Sequence, residues 1–188
     1  NLYYFTGTHW YPSERLVGAI IPAEGPIQYI APYFEVDTLK GFMGVEGFVN
    51  AWHEDESPYQ LFHQILNSMG ISAGKIGIDE SAPFFIVDGF NQTPHRYDWV
   101  NAKPVTAGCR MQKSANELAL LQRAKEMTLE VHKAAAQILK VGITTQQVTD
   151  FIQQAHQKVG AKGSSFCIVL FGKDTSFPHG VKNPKCLE

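Results

Sequence analysis

Hydrophobic residues in the first hundred positions fall into short runs bounded by glycine and proline. Leu2 to Thr6, Leu16 to Ile21 and Ile27 to Ala31 are apolar or β-branched and have strand length. The interval Pro22-Ala23-Glu24-Gly25-Pro26 predicts a hairpin turn between the last two. A helix is predicted from Ser57, because Ser57 can cap, Pro58 fits the first helical position and Gln60 sits three residues after the cap. Leu61, Phe62, Ile65, Leu66 and Met69 then recur at helical spacing, and Gly70 marks the stop. Lys75 to Asp79 and Phe84 to Val87 predict two further strands. Strands interleaved with helices predict an α/β, or α+β, fold with a mixed sheet.

The texture changes near residue 105. Ser114 and Glu117 form a capping box, and Leu118, Leu121, Ala124, Thr128, Val131, Ala135 and Ile138 mark one helical face as far as Gly142. Thr144 and Gln147 form a second box before Val148, Phe151, Ile152, Ala155 and Val159, and Gly160 ends that helix. Phe166 to Phe171 then predicts a buried strand. The expected organisation is a mixed α/β domain over residues 1–105, a linker region at Asn101 to Thr106, and a helix-helix-strand unit over residues 106–188.

Composition narrows the function classes. The 188 residues are 44% apolar and 18% charged, which supports a packed core and excludes a disordered chain. Sixteen Lys and Arg against eighteen Asp and Glu give a net charge of −2, so no basic surplus points to nucleic acid or an anionic membrane. No run approaches the ~18 to 20 apolar residues of a spanning helix. Cys109, Cys167 and Cys186 form no Cys-x-x-Cys pair and predict buried or free thiols in a reducing cytoplasm, with a structural zinc site or a disulfide as the alternatives.

Most standard catalytic motifs are absent: there is no Gly-x-Gly-x-x-Gly, phosphate loop, His-Glu-x-x-His or Gly-x-Ser-x-Gly. His63, His132 and His156 lie within predicted helices and are expected to be solvated or half-buried. His53 belongs to an acidic, exposed segment, and His95 to a loop. His179 differs. In Ser176-Phe177-Pro178-His179-Gly180, Pro178 stiffens the approach and Gly180 lets the backbone pass close to a ligand. An imidazole held there can move a proton or bind an anion.

Several segments together resemble the creatinase, prolidase and aminopeptidase P family, whose catalytic domain has the pita-bread fold. Asn1-Leu2-Tyr3-Tyr4-Phe5-Thr6-Gly7 resembles the Asn-x-x-Tyr-x-(Thr/Ser)-Gly strand of the creatinase-like amino-terminal domain. Arg15 follows Gly7 at a spacing similar to that of a family arginine. Arg110-x-x-Lys113-Ser114-x-x-Glu117 resembles the opening of the catalytic domain, and Gly142-Ile143-Thr144 the start of its next helix. Ser165 to Gly172 followed by Pro178-His179-Gly180 resembles the strand and loop that carry the family's active-site histidine.

The resemblance implies an Xaa-Pro peptidase with two divalent metal ions (Mn, Co or Zn), a proline-containing peptide substrate, a homodimer and a cytoplasmic location. It implies a catalytic role for His179 and a substrate-binding role for Arg15, reaching across the dimer to a substrate carboxylate. Trp10 and Tyr11 would supply an apolar wall, with core packing as the alternative. Thr145 and Gln147 depart from the glutamates that the family often carries. The family's two Asp, one His and two Glu metal ligands follow the histidine. None is therefore expected within this chain, which is expected to be cut at both ends and inactive alone. A creatinase-like amidinohydrolase without metal and a non-catalytic binding module are the alternatives. Exposed apolar faces are expected at Val148, Phe151 and Ile152 or their neighbours.

Overall fold

The computed structural model describes residues 1–11, 13–94 and 96–188. It divides into two compact units, Asn1–Gln112 and Lys113–Glu188. His95 lies outside the described residues.

The first unit is built around a three-stranded sheet in the order β1-β2-β3. Strands β1 (Gly18–Ile20) and β2 (Ile27–Pro32) pair antiparallel, with Gly18 opposite Ile30, so the hairpin expected at Pro22 to Pro26 forms. Strand β3 (Gly47–Trp52) pairs with β2 in parallel, from Ile27 opposite Gly47 to Pro32 opposite Trp52. A parallel pair needs a crossover, supplied here by α2 (Val36–Phe42). Alternation along β2 feeds both faces of the sheet. Tyr29 and Ala31 join Leu39 of α2 in one cluster, with Trp10 packed against it. Ile30 joins Leu16, Trp52, Ile65 and Phe90 in the other. Each large side chain so buried contributes roughly 1.5–3 kcal/mol over leaving it exposed.

Helix α3 (Pro58–Ser68) starts where the sequence predicts, with Ser57 Oγ accepting from the Gln60 N–H at 3.3 Å. Gly70, at φ 77°, follows its end. Strands β4 (Gly74–Ile78) and β5 (Tyr97–Asn101) form a separate parallel pair. The crossover between them is α4 (Phe84–Gln92), so the strand expected at Phe84 to Val87 is a helix. Pro83, at φ −56° and ψ 145°, stands at its N-cap and accepts from the Ile86 N–H. Apolar density alone does not distinguish a short strand from a buried helical turn; the parallel partner requires the helix.

Leu2 to Thr6, also read as a strand, is helix α1 (Leu2–Thr6). Phe5 and Gly7 donate to the carbonyls of Asn1 and Tyr3, and the Thr6 hydroxyl donates to Leu2 at 2.8 Å. Gly7 ends the helix at φ 66° and passes so close to Gly44 that a Cβ on Gly44 would lie 2.8 Å from Gly7 Cα. His63, expected to be solvated or half-buried, is buried: its ring stacks on Tyr97 at 5.4 Å, near Phe90 and Trp99. The expected linker at Asn101 to Thr106 is instead the end of β5 and the start of α5 (Lys103–Met111). Thr106 is buried and donates to Glu80 at 2.8 Å, and Ala102 N–H bonds Ile78, which holds α5 in the first unit.

The second unit contains α6 (Ala115–Gln137) and α7 (Thr145–Lys158). Both capping boxes form as reciprocal pairs, Ser114 with Glu117 and Thr144 with Gln147. Helix α6 stops at Gln137, before Gly142, whose φ of 85° serves the turn that follows. Val148 and His156 are buried, and Phe151 and Ile152 are half-buried. His156 turns its Nδ1 onto the carbonyl of Ile152 at 2.9 Å, which ties the ring to its own helix. Exposed apolar side chains include Leu118, Leu120 and Leu129 on α6. The segment 166–171 is not a strand, and Phe166 is 78% exposed. Among the described residues no strand pairs with it, and an unpaired run lacks the ladder that defines a strand.

Candidate functional site

Topology gathers one group of side chains at an edge of the three-stranded sheet. Because β2 and β3 are parallel, their carboxyl ends lie together. Because β1 is antiparallel to β2, its amino end lies there too. Arg15 precedes β1, Phe34 follows β2 and Glu54 follows β3. The guanidinium of Arg15 donates to Glu54 twice, from Nε at 2.9 Å and Nη2 at 3.1 Å. Its Nη1 donates to Glu14. The guanidinium carbon lies 5.4 Å from the centre of the Phe34 ring, a cation–π contact. Beside it His53 stacks on Tyr33, with ring centres 4.6 Å apart.

The ion pair affects both partners. The hydrogen bond from Arg15 holds the Glu54 carboxyl below its ordinary pKa, the charge of Arg15 adds to this and desolvation opposes it. The same hydrogen bond raises Arg15 above its ordinary value. Arg15 is half-buried and Glu54 exposed, a setting in which ion pairs contribute little to stability. What the pairing provides is a guanidinium held in one orientation.

Trp10 is half-buried against Tyr29, Ala31 and Leu39, whereas Tyr11 is 89% exposed. The two neighbours thus differ in setting, Trp10 against the core and Tyr11 in solvent. Sequence reasoning missed Glu54 and Phe34 as partners of Arg15. Residues 15 and 54 are 39 apart, and only the sheet register joins them.

His179 belongs to the second unit. It sits in a turn closed by the Gly180 N–H donating to Phe177 at 2.9 Å, with Gly180 at φ 90°. Pro178 takes the second turn position, which its fixed φ suits. Asp174 braces the loop: its carbonyl accepts from the Phe177 N–H and its carboxylate from the Lys185 N–H at 2.9 Å. The imidazole is exposed, so either ring nitrogen can meet a ligand. Among the described residues no three His, Cys, Asp or Glu side chains come together to hold a metal ion. Cys109, Cys167 and Cys186 are free thiols. No helix among the described residues is long and apolar enough to cross a membrane.

A crossover-built mixed sheet in one unit and a capped helix pair leading to a histidine turn in the next define a mixed α/β chain of two parts. The chain belongs to the creatinase/prolidase family: residues 1–112 match the Creatinase/Prolidase N-terminal domain, and residues 119–188 match Metallopeptidase family M24. It is 27% identical, over its whole length, to an uncharacterized peptidase of Staphylococcus aureus, of which it covers 52%. Among solved structures it resembles dipeptidase PepE from Mycobacterium ulcerans, with a TM-score of 0.83 at 27% identity, covering 100% of this chain and 50% of that one. It also resembles a prolidase from Thermococcus sibiricus, with a TM-score of 0.77 at 26% identity, covering 99% and 51%. The chain spans about half the length of the curated relatives it matches.

Proposed function

We propose that the whole protein is a metal-dependent peptidase that hydrolyses the peptide bond before proline, of the prolidase or aminopeptidase P type. The observation that carries this reading is the ordered match of one chain to the creatinase/prolidase amino-terminal domain and then to an M24 metallopeptidase segment. The likeness to a dipeptidase and a prolidase supports it. His179, exposed on its braced turn, would touch substrate or the tetrahedral intermediate. Arg15 would hold a substrate carboxylate, reaching the active site of the other subunit of a homodimer, with the exposed part of Trp10 as an apolar wall. The protein would work in the cytoplasm. Two divalent ions (Mn, Co or Zn) would supply an activated water in the whole protein. The described residues gather no donor set for them, and residues 1–188 alone are proposed to be inactive.

Hydrolysis of Xaa-Pro and Xaa-Ala dipeptides by the purified whole protein tests the reading. The expected result is cleavage of the proline substrates, abolished by a chelator and restored by Mn²⁺. His179→Ala should lower kcat by about 10²–10⁴-fold. Indifference to proline, or turnover that survives chelation, would overturn the assignment.

A further inference from the structure

The guanidinium of Arg15 has two usable edges. Glu54 fills the side-on edge, Nε with Nη2, and comes from a different loop 39 residues away. Glu14 meets Nη1, is the preceding residue, and has a side chain 76% exposed against 56% for Glu54. The two carboxylates therefore stand in unlike positions. The Glu54 pair is bidentate and fixes the plane of the guanidinium, with Phe34 lying against it. The Glu14 contact is single, local and solvated, and another carboxylate can replace it by a side-chain rotation. Both Nη atoms carry a second N–H beyond the bonds described. Two negative charges on one positive charge also leave the cluster with an excess that repels an incoming anion.

We propose that the two glutamates divide Arg15 between them: Glu54 is a positioning residue that presents the guanidinium, and Glu14 is a displaceable internal carboxylate that sets how readily the site takes a carboxylate ligand. This rests on the reading of Arg15 as a carboxylate anchor. It predicts opposite effects for two chemically identical substitutions, Glu14→Gln strengthening carboxylate binding and Glu54→Gln weakening it.

The experiment is equilibrium binding of N-acetyl-L-proline and of N-acetyl-L-prolinamide to the whole protein, with Tm recorded for each variant. Glu14→Gln should lower the Kd for acetylproline about threefold to tenfold, and Glu54→Gln should raise it about tenfold. The amide, which lacks the carboxylate, should show no change with either variant. A merely structural role for the pair would move both ligands together, or Tm alone. Equal effects of the two variants, or no effect of Glu14→Gln, would overturn the division of roles while leaving Arg15 as an anchor. Arg15→Ala without effect on acetylproline would overturn the anchor and this inference together. Because binding is read without turnover, absence of peptidase activity would count against the proposed function alone.

Discussion

At the scale of single residues, the packing leaves little room where α3 meets α4. The Tyr59 ring lies against Gly89, so a Cβ there would come within 2.1 Å of the ring, and the Tyr59 hydroxyl donates to Phe85 at 3.2 Å. Gly89→Ala should therefore destabilise the protein by about 1–3 kcal/mol through overpacking, despite the better helix propensity of alanine. Urea unfolding measures it, and an unchanged midpoint would show that the ring moves aside freely. Nothing in the local sequence announces this contact, since Gly89 within Phe84 to Gln92 reads as an ordinary interruption. Arg15 shows the same limit. Its charge and its place after Gly7 are legible, whereas its partner Glu54 reads only as part of an acidic run.

Secondary-structure elements whose ends are set by local hydrogen bonds were readable, and those defined by distant partners were not. Ser57, Ser114 and Thr144 each cap the helix that follows, within three residues of the groups they bond. Both Ser114→Ala and Thr144→Ala should cost about 1 kcal/mol of stability, seen as a lower midpoint in helix-detected denaturation. A midpoint shift in neither would mean that the boxes add nothing to the folded helices. By contrast, α1 and α4 were read as strands because aromatic and β-branched residues suit either state. Their helical state depends on Gly7 and Pro83 at their ends and, for α4, on the parallel pairing of β4 with β5. The segment 166–171 fails in the opposite way, having strand composition without a pairing partner among the described residues.

Across the whole chain, burial is uneven. Buried apolar side chains in the first unit include Leu16, Tyr29, Ile30, Leu39, Trp52, Ile65, Leu66 and Phe90, while the second has Val131, Ala135, Ile143 and Val148. Local stability follows buried contacts. Amide exchange in residues 1–188 should therefore be slowest in β2 and faster in α6 and α7; equal protection would refute the inequality. The change of texture after residue 105 predicts a sheet-bearing part followed by a helical part. The observed division falls between Gln112 and Lys113, because α5 is tied through Thr106 and Ala102 to the end of β4.

The aromatic packing of the first unit has an optical consequence. All three tryptophans and all seven tyrosines lie within residues 1–112, with Trp52 in the core and Trp99 stacked on Phe90 at 5.0 Å. The ultraviolet emission of the chain is thus a signal of the sheet-bearing part alone. The α6–α7 pair, whose only aromatic rings are those of phenylalanine and histidine, is silent in that channel and visible through its helical ellipticity. Emission therefore follows the melting of the sheet-bearing part by itself without any added label, while ellipticity reports the helices of both parts together.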